Sequence, residues 1–268
     1  MQPAQDTAGS IGMARTLVIA NQKGGVGKST SVMNLGIALM ERDFRVLLID
    51  LDPQGGLTAA FGVDSYDIRR SAFSLIMSDH VSLARVMQPV RARLALVPAS
   101  IDLAVSEVQL ASISDRVYRL RMALQRNRAP FDYILIDTPP ALGILTANGL
   151  VAADEVLIPV QCHYLAMRGV RALMETFVRV KNTLNPSLRL AGLVGTMYQA
   201  DSQHAQEVVD ELRAVFGPKM YKTLIDYDDV VAEAPIAGLS VLEYIPGHPV
   251  ARGYRALAEE VTRGRAAQ

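Results

Sequence analysis

The chain has a single cysteine, Cys162, among 268 residues. That excludes an internal disulfide, suits a reducing compartment and argues against an iron–sulfur cluster, which needs paired thiolates. Cys162 follows the apolar run Val156–Val160, where a buried spectator thiol fits better than a reactive one. No apolar run approaches the roughly 20 residues that cross a bilayer. Net charge is missing too: 27 Lys and Arg balance 27 Asp and Glu. No overall field therefore draws the molecule to DNA or an anionic membrane, and such binding needs a local patch. The first 12 residues are small and polar, without a basic-then-apolar signal pattern, and too few for a helix-turn-helix domain. Residues 1–13 read as a flexible tail, with Met13 an alternative start. No repeat or low-complexity linker divides the remainder. Half of all residues are hydrophobic, so residues 14–268 read as one domain with a substantial core.

What is present is an alternation of short Val/Ile/Leu-rich runs with longer helical patterns. The runs Thr16–Ala20, Arg45–Asp50, Leu94–Pro98, Tyr133–Asp137, Glu155–Val160 and Leu190–Tyr198 read as buried strands. Between them Ser29–Arg42, Ile101–Arg128 (as two helices), Leu142–Ala152, Leu165–Leu184 and Gln203–Phe216 read as helices. This order predicts an α/β fold with a mostly parallel twisted sheet, covered by helices on both faces, whose ligands gather at the carboxyl ends of the strands. Leu165–Leu184 carries a core-facing apolar stripe. The last helix, Val250–Val261, puts Val250, Tyr254, Leu257 and Val261 on one face, a pattern for packing on the sheet rather than for a membrane surface.

The most informative segment follows the first strand: Asn21-Gln22-Lys23-Gly24-Gly25-Val26-Gly27-Lys28-Ser29-Thr30. Three glycines let the backbone curl so that several N–H groups, from Gly24 through Thr30, point at one anion. Lys28 adds a positive charge, Ser29 offers a hydroxyl to Mg2+, and the following helix aims its positive end at the same point. The usual motif places glycine at position 22; here Gln22 stands there, and Lys23 opens the loop. Two acidic strand ends complete a nucleotide site. Val46–Asp50 leads into Asp50-Leu51-Asp52-Pro53, placing Asp50 and Asp52 on one side of the chain. An acid there can orient an attacking water or bind Mg2+ through water; for Asp50, capping the following turn is an equal alternative. Tyr133–Asp137 ends in a carboxylate that is costly to bury unless a metal or donor pairs with it, so Asp137 fits a Mg2+ ligand. Thr138-Pro139-Pro140 forms a stiff loop beside the terminal phosphate.

These residues resemble the ParA/Soj family of deviant Walker A ATPases, P-loop NTPases to which MinD is more distantly similar. The matching stretches are Ala20–Thr30, Asp50–Gly55, Asp137–Pro140, Pro159–Gln161, Leu184–Pro186 and Glu233–Pro235, in family order. The resemblance implies a cytoplasmic, nucleoid-associated ATPase that binds ATP and Mg2+ and forms a sandwich dimer. In it Lys23 reaches the phosphates of the opposite subunit and Lys28 its own nucleotide. It further implies Asp52 as the acid that determines hydrolysis, and Ser29 as the Mg2+ ligand. Met197 and the loop near Asp226 and Tyr227 would flank the adenine. Non-specific DNA binding by the ATP dimer, stimulation by a ParB-like partner, and partition of a chromosome or plasmid complete the expectation. Two alternatives are positioning of a protein cargo and a MinD-like role at a membrane; the poorly amphipathic last helix speaks against the second.

One departure bears on DNA. Many Soj-like chains read Ile-Pro-Arg-Asn-Val-Arg-Leu-Ser where this one reads Ile225-Asp226-Tyr227-Asp228-Asp229-Val230-Val231-Ala232. Both arginines are missing and three aspartates appear, so this edge repels phosphate. Arg116, Arg119, Arg121, Arg126 and Arg128 crowd one helix, and Arg263 and Arg265 follow the last; a solvated face is the ordinary reading of such runs. The candidates for DNA contact are Lys219, Lys222, Arg252 and Arg255.

Overall fold

A computed structural model of the chain describes residues 14–64, 70–126, 130–163 and 166–266. The first half runs β1 (Arg15–Ile19), α1 (Lys28–Met40), β2 (Val46–Asp50), α2 (Gly56–Ala60), α3 (Ala72–Met77), α4 (Leu83–Val86), β3 (Gln88–Arg91) and β4 (Leu94–Val97). It continues through α5 (Leu103–Leu110), α6 (Arg119–Arg126), β5 (Tyr133–Asp137), α7 (Ile144–Ala152) and β6 (Glu155–Gln161). The last part holds α8 (Ala166–Thr183), β7 (Arg189–Tyr198), α9 (Gln203–Phe216), β8 (Met220–Asp226), α10 (Val230–Glu233), α11 (Val241–Tyr244) and α12 (Pro249–Ala266).

Eight strands form one sheet in the order β3-β4-β2-β5-β1-β6-β7-β8. Every neighbouring pair is parallel except β3 with β4. Strict side-chain alternation splits the core in two. Leu17, Ile19, Val46, Leu48 and Leu135 face α1 and α12, meeting Leu35, Leu39, Tyr254 and Leu257. Val18, Leu47, Ile49, Ile134 and Ile136 face the other way, toward Leu103, Leu120, Leu145, Val170 and Leu173. A parallel sheet covered on both faces needs such strands, apolar on both sides. β1, β2 and β5 accordingly have almost no exposed residue.

All six expected strands are present, each within one residue of its expected ends. The stretch Ile101–Arg128 divides into α5 and α6, although Arg128, like Leu165 and residues 1–13, lies outside the described residues. β3 and β8 add to the expectation. Both are edge strands with half-exposed residues, and β3 carries Pro89; an edge does not need the continuous apolar run that marks a central strand. The stripe on α12 packs as expected, with Val250, Tyr254, Leu257 and Val261 buried. Among the described residues no helix is long and apolar enough to cross a membrane.

Candidate nucleotide site

The loop at residues 20–27 begins where the β1–β6 ladder stops. Ala20 N donates to Leu157 O at 3.3 Å. The next rung would need an N–H from residue 159, which is proline and has none. Side chains then take over from backbone. Asn21 Nδ2 donates to Pro159 O at 2.8 Å, and Asn21 Oδ1 accepts from Lys23 N at 3.0 Å. Lys23 Nζ donates to Gln161 Oε1 at 2.7 Å. On the far side Thr196 Oγ1, from β7, donates to Val26 O at 3.0 Å. The loop is thus anchored to β6 and β7 before any ligand arrives.

Gly25 and Gly27 adopt φ of 70° and 82°, left-handed values that a Cβ penalises. Gly27 is also the N-cap of α1, and it leaves that helix with no side-chain cap and no acidic residue in its first turn. The orphan N–H groups of a 13-residue helix therefore face the loop, together with its positive dipole end. Lys28 is buried, with Nζ donating to Lys23 O at 3.3 Å. Burial lowers its pKa; the charges of Asp137 and Asp52 act in the opposite sense.

Three acids meet this cation. Asp137 ends β5 with zero exposure, and among the described residues neither carboxylate oxygen makes a hydrogen bond of ordinary distance and angle, although the Ser29 hydroxyl lies close enough to act on it. Burial, then the charge of Asp50, raises its pKa well above the carboxylate range; the Ser29 hydroxyl and Lys28 act to lower it. Asp50 pairs with Asp137 in the β2–β5 register. Its carboxylate accepts from Thr58 N at 2.9 Å, Thr58 Oγ1 at 2.7 Å and Asp52 N at 3.0 Å. Of the two readings open for Asp50, the geometry is that of the acid holding the turn and the start of α2, with its pKa pushed by burial up to about 6. Asp52 is half-buried in that turn and accepts from Gln54 N at 3.0 Å. A Cβ on Gly56 would stand 3.4 Å from Ser29 Oγ, and one on Gly24 3.9 Å from Pro140 Cβ. The α2 start and the Pro139-Pro140 loop therefore lie against the phosphate loop. Thr138 Oγ1 donates to Ile19 O at 2.9 Å. Two carboxylates buried side by side, Asp137 with Lys28 and the Ser29 hydroxyl acting on it, form a set whose chemistry suits a divalent cation and an anionic ligand.

A cavity of about 280 Å³ opens beside the loop, lined by Gly27, Thr30, Met197, Asp226, Tyr227 and Tyr254 among others. Met197 and the Asp226–Tyr227 loop, expected near a nucleobase, are thus brought together with the loop's C-terminal end. Met197 sits at φ 51°, an uncommon strain for an unbranched side chain. Of the basic candidates, Arg255 is held by Glu41 at 2.6 and 2.8 Å, which offsets its charge. Lys219 Nζ donates to Leu190 O, Arg252 Nη1 to Gly247 O, and the Lys222 backbone to Glu260. Among the described residues these three form no ion pair. In the arginine-rich helix, Arg119 is buried against Asp79 and Asp115, and Arg126 pairs with Asp79. Cys162 is buried and its pKa is pushed up to about 11 by burial, in keeping with a spectator thiol.

Sequence reasoning passed over Thr58 and Thr196 and gave no role to Asn21 or Gln161. The hydroxyls carry no local signal. Asn21 and Gln161 do stand at polar positions by the carboxyl ends of central strands, Gln161 closing β6 and Asn21 two residues beyond β1, which is a usable one.

A family model described as an AAA domain matches residues 14–190. The chromosome partitioning protein ParA of Caulobacter vibrioides is 41% identical over 249 residues, 92% of this chain and 93% of the relative. The chromosome-partitioning ATPase Soj of Treponema pallidum is 42% identical over 253 residues, 93% of this chain and 97% of the relative. Among solved structures, cobyrinic acid a,c-diamide synthase from Mycobacterium smegmatis with bound ADP and magnesium superposes at a TM-score of 0.83. It is 35% identical, covering 95% of this chain and 96% of that one. With such identity over nearly its whole length, on a phosphate loop of this geometry, the chain belongs to the ParA/Soj family.

Proposed function

We propose that the protein is a dimerising ATPase that partitions chromosome or plasmid DNA, hydrolysing ATP to ADP and phosphate. The observation that carries this reading is Asp137: a fully buried carboxylate without a hydrogen bond of ordinary geometry, beside the Ser29 hydroxyl and the Lys28 charge. The residues present fit the group. Ser29 and Asp137 would hold Mg2+, which when bound supplies charge neutralisation at the phosphate oxygens. The backbone N–H groups of Gly24–Thr30 and the Lys28 ammonium cradle the phosphates of the subunit's own nucleotide. Asp52, half-buried in the turn before α2 and not enclosed in the core as Asp50 is, orients the attacking water. Lys23 crosses to the nucleotide of the second subunit, and the cavity at Met197 and Tyr227 takes the adenine.

In this reading the ATP dimer binds DNA without sequence preference, works at the nucleoid, and is released when a ParB-like partner stimulates hydrolysis. The acidic loop Asp226–Asp229 turns the DNA contact toward Lys219, Lys222 and Arg252, with Arg255 a weaker contributor because Glu41 already engages it. The test is size-exclusion chromatography with ADP and with ATP, repeated with random duplex DNA at several salt concentrations. Asp52→Ala gives a long-lived ATP dimer that retains DNA at low salt, and Lys28→Ala gives no nucleotide binding. A molecule equally monomeric with either nucleotide refutes the reading, as does wild-type turnover by Asp52→Ala.

A further inference from the structure

The β1–β6 register is constant: Leu17 lies opposite Glu155, Val18 opposite Val156 and Ile19 opposite Leu157. The side-chain contacts beyond the strand keep the same offset, Asn21 with Pro159 and Lys23 with Gln161. The loop's opening residues therefore run on beside β6 as a ghost of the ladder, with side chains in place of backbone hydrogen bonds. Lys23 is gripped from three sides. Its N–H is held by Asn21 and its carbonyl by Lys28 Nζ at 3.3 Å. A Cβ on Gly169 of α8 would stand 3.8 Å from Lys23 Cβ and 3.2 Å from Asn21 Oδ1, so the helix start lies close over it. What remains free to choose is the ammonium, and it lies on the Gln161 amide at 2.7 Å.

We infer that Gln161 is a positioning residue that latches the Lys23 ammonium to its own subunit, so that dimerisation around ATP must first break this hydrogen bond. The inference rests on the reading above in which Lys23 serves the opposite nucleotide. The acceptor is a neutral amide, which holds an ammonium firmly enough to order it and weakly enough to surrender it to a triphosphate; a carboxylate at this position would compete far better. A charge-assisted hydrogen bond of this kind weights an equilibrium by roughly tenfold. Two latches open per dimer, so their loss tightens the dimer by roughly a hundredfold. The latch lowers the population of the dimer-competent conformer and so the apparent affinity of the dimer.

The experiment is sedimentation velocity of the full chain with a non-hydrolysable ATP analogue and Mg2+, comparing wild type with Gln161→Leu, Gln161→Glu and Lys23→Ala. ADP affinity serves as the check that each variant keeps its nucleotide site. Gln161→Leu is expected to tighten the dimer and Gln161→Glu to weaken it, with ADP affinity unchanged in both; a generic loss of structure cannot move the two in opposite directions. If Lys23→Ala abolishes the dimer while Gln161→Leu leaves it unchanged or weaker, the latch is overturned and the cross-subunit lysine stands. If Lys23→Ala dimerises like wild type, the cross-subunit reading falls and takes the latch with it.

Discussion

Replacing Asp137 by Asn should stabilise the protein in the absence of nucleotide while removing its ability to be stabilised by Mg2+ and ATP. Asp137 and Asp50 are both fully buried and adjacent across β2 and β5. Burial is the largest cause raising either pKa, and for Asp137 the charge of Asp50 comes next. A carboxyl whose folded pKa lies above its unfolded value binds more protons when folded. Its ionisation therefore erodes stability as pH rises from the unfolded value to the folded one, and the loss persists above. For Asp50 the rise from 3.8 to about 6 corresponds to roughly 3 kcal/mol. Asp137 acts in the same direction. The asparagine is nearly isosteric, stays neutral at every pH and no longer repels Asp50. Removing a buried charge that Lys28 and the Ser29 hydroxyl offset only in part is worth about 2 kcal/mol here, or roughly 4–8 °C in Tm for a chain of this size. Thermal unfolding by circular dichroism without nucleotide, at pH values from about 4.5 to 8, should show a gain that is largest at the alkaline end and shrinks toward acid. With Mg2+ and ATP the wild type should rise and the variant should not, since only binding to the folded state adds stability. A variant less stable than wild type at the alkaline end, or a gain independent of pH, refutes the argument.

Three other substitutions probe the frame around the site. Thr58→Val keeps the shape but removes a hydroxyl that donates to Asp50 Oδ2 at 2.7 Å and accepts from Ala99 N at 2.9 Å; a loss of about 3 kcal/mol by urea denaturation is expected, with Asp50 titrating higher still. Gly27→Ala forces a Cβ into φ 82°, which costs about 1–2 kcal/mol and weakens binding of a fluorescent ADP derivative, whereas Gly247→Ala, with open space around it, changes neither. Arg15→Met removes the nearest cation from the buried Glu155 carboxylate, leaving it the longer pair with Arg189 at 3.6 Å, and releases the carbonyl of Val261 on α12; about 1.5–3 kcal/mol is lost, and hydrogen exchange should show α12 loosening first.

Much of the fold was legible because the central strands obey one local rule. β1, β2, β5 and β6 are buried on both faces, so each announces itself as a short apolar run, and the helices between them declare a parallel order. β3 and β8 escaped because edge strands answer to a weaker rule: Gln88-Pro89-Val90-Arg91 and Met220–Asp226 are half-exposed, and their register with β4 and β7 is irregular. The phosphate loop was legible for a different reason. Gly25 and Gly27 each answer a demand made by the backbone at that very residue, a left-handed φ, so spacing alone carries the information.

The anchoring of that loop obeys no such local rule, and this is where sequence reading stops short. Thr196 reaches Val26 across 170 positions and Gln161 reaches Lys23 across 138, separations that mean nothing until the strand order is known. Once it is, the contacts become almost obligatory. β6 lies next to β1, Pro159 removes the rung that would continue the ladder, and the first polar side chains beyond the break inherit its register. The ambiguity over Asp50 is resolved by the same logic. A carboxylate placed at the last rung of β2, beside Asp137 on β5, finds its nearest donors in the turn and helix that follow its own strand, so it holds Thr58 and leaves Asp52 the more exposed acid. Strand order thus separates two aspartates that the sequence presents as near equivalents: one is buried and orders the turn, and the other, carried by that turn, is left half-exposed.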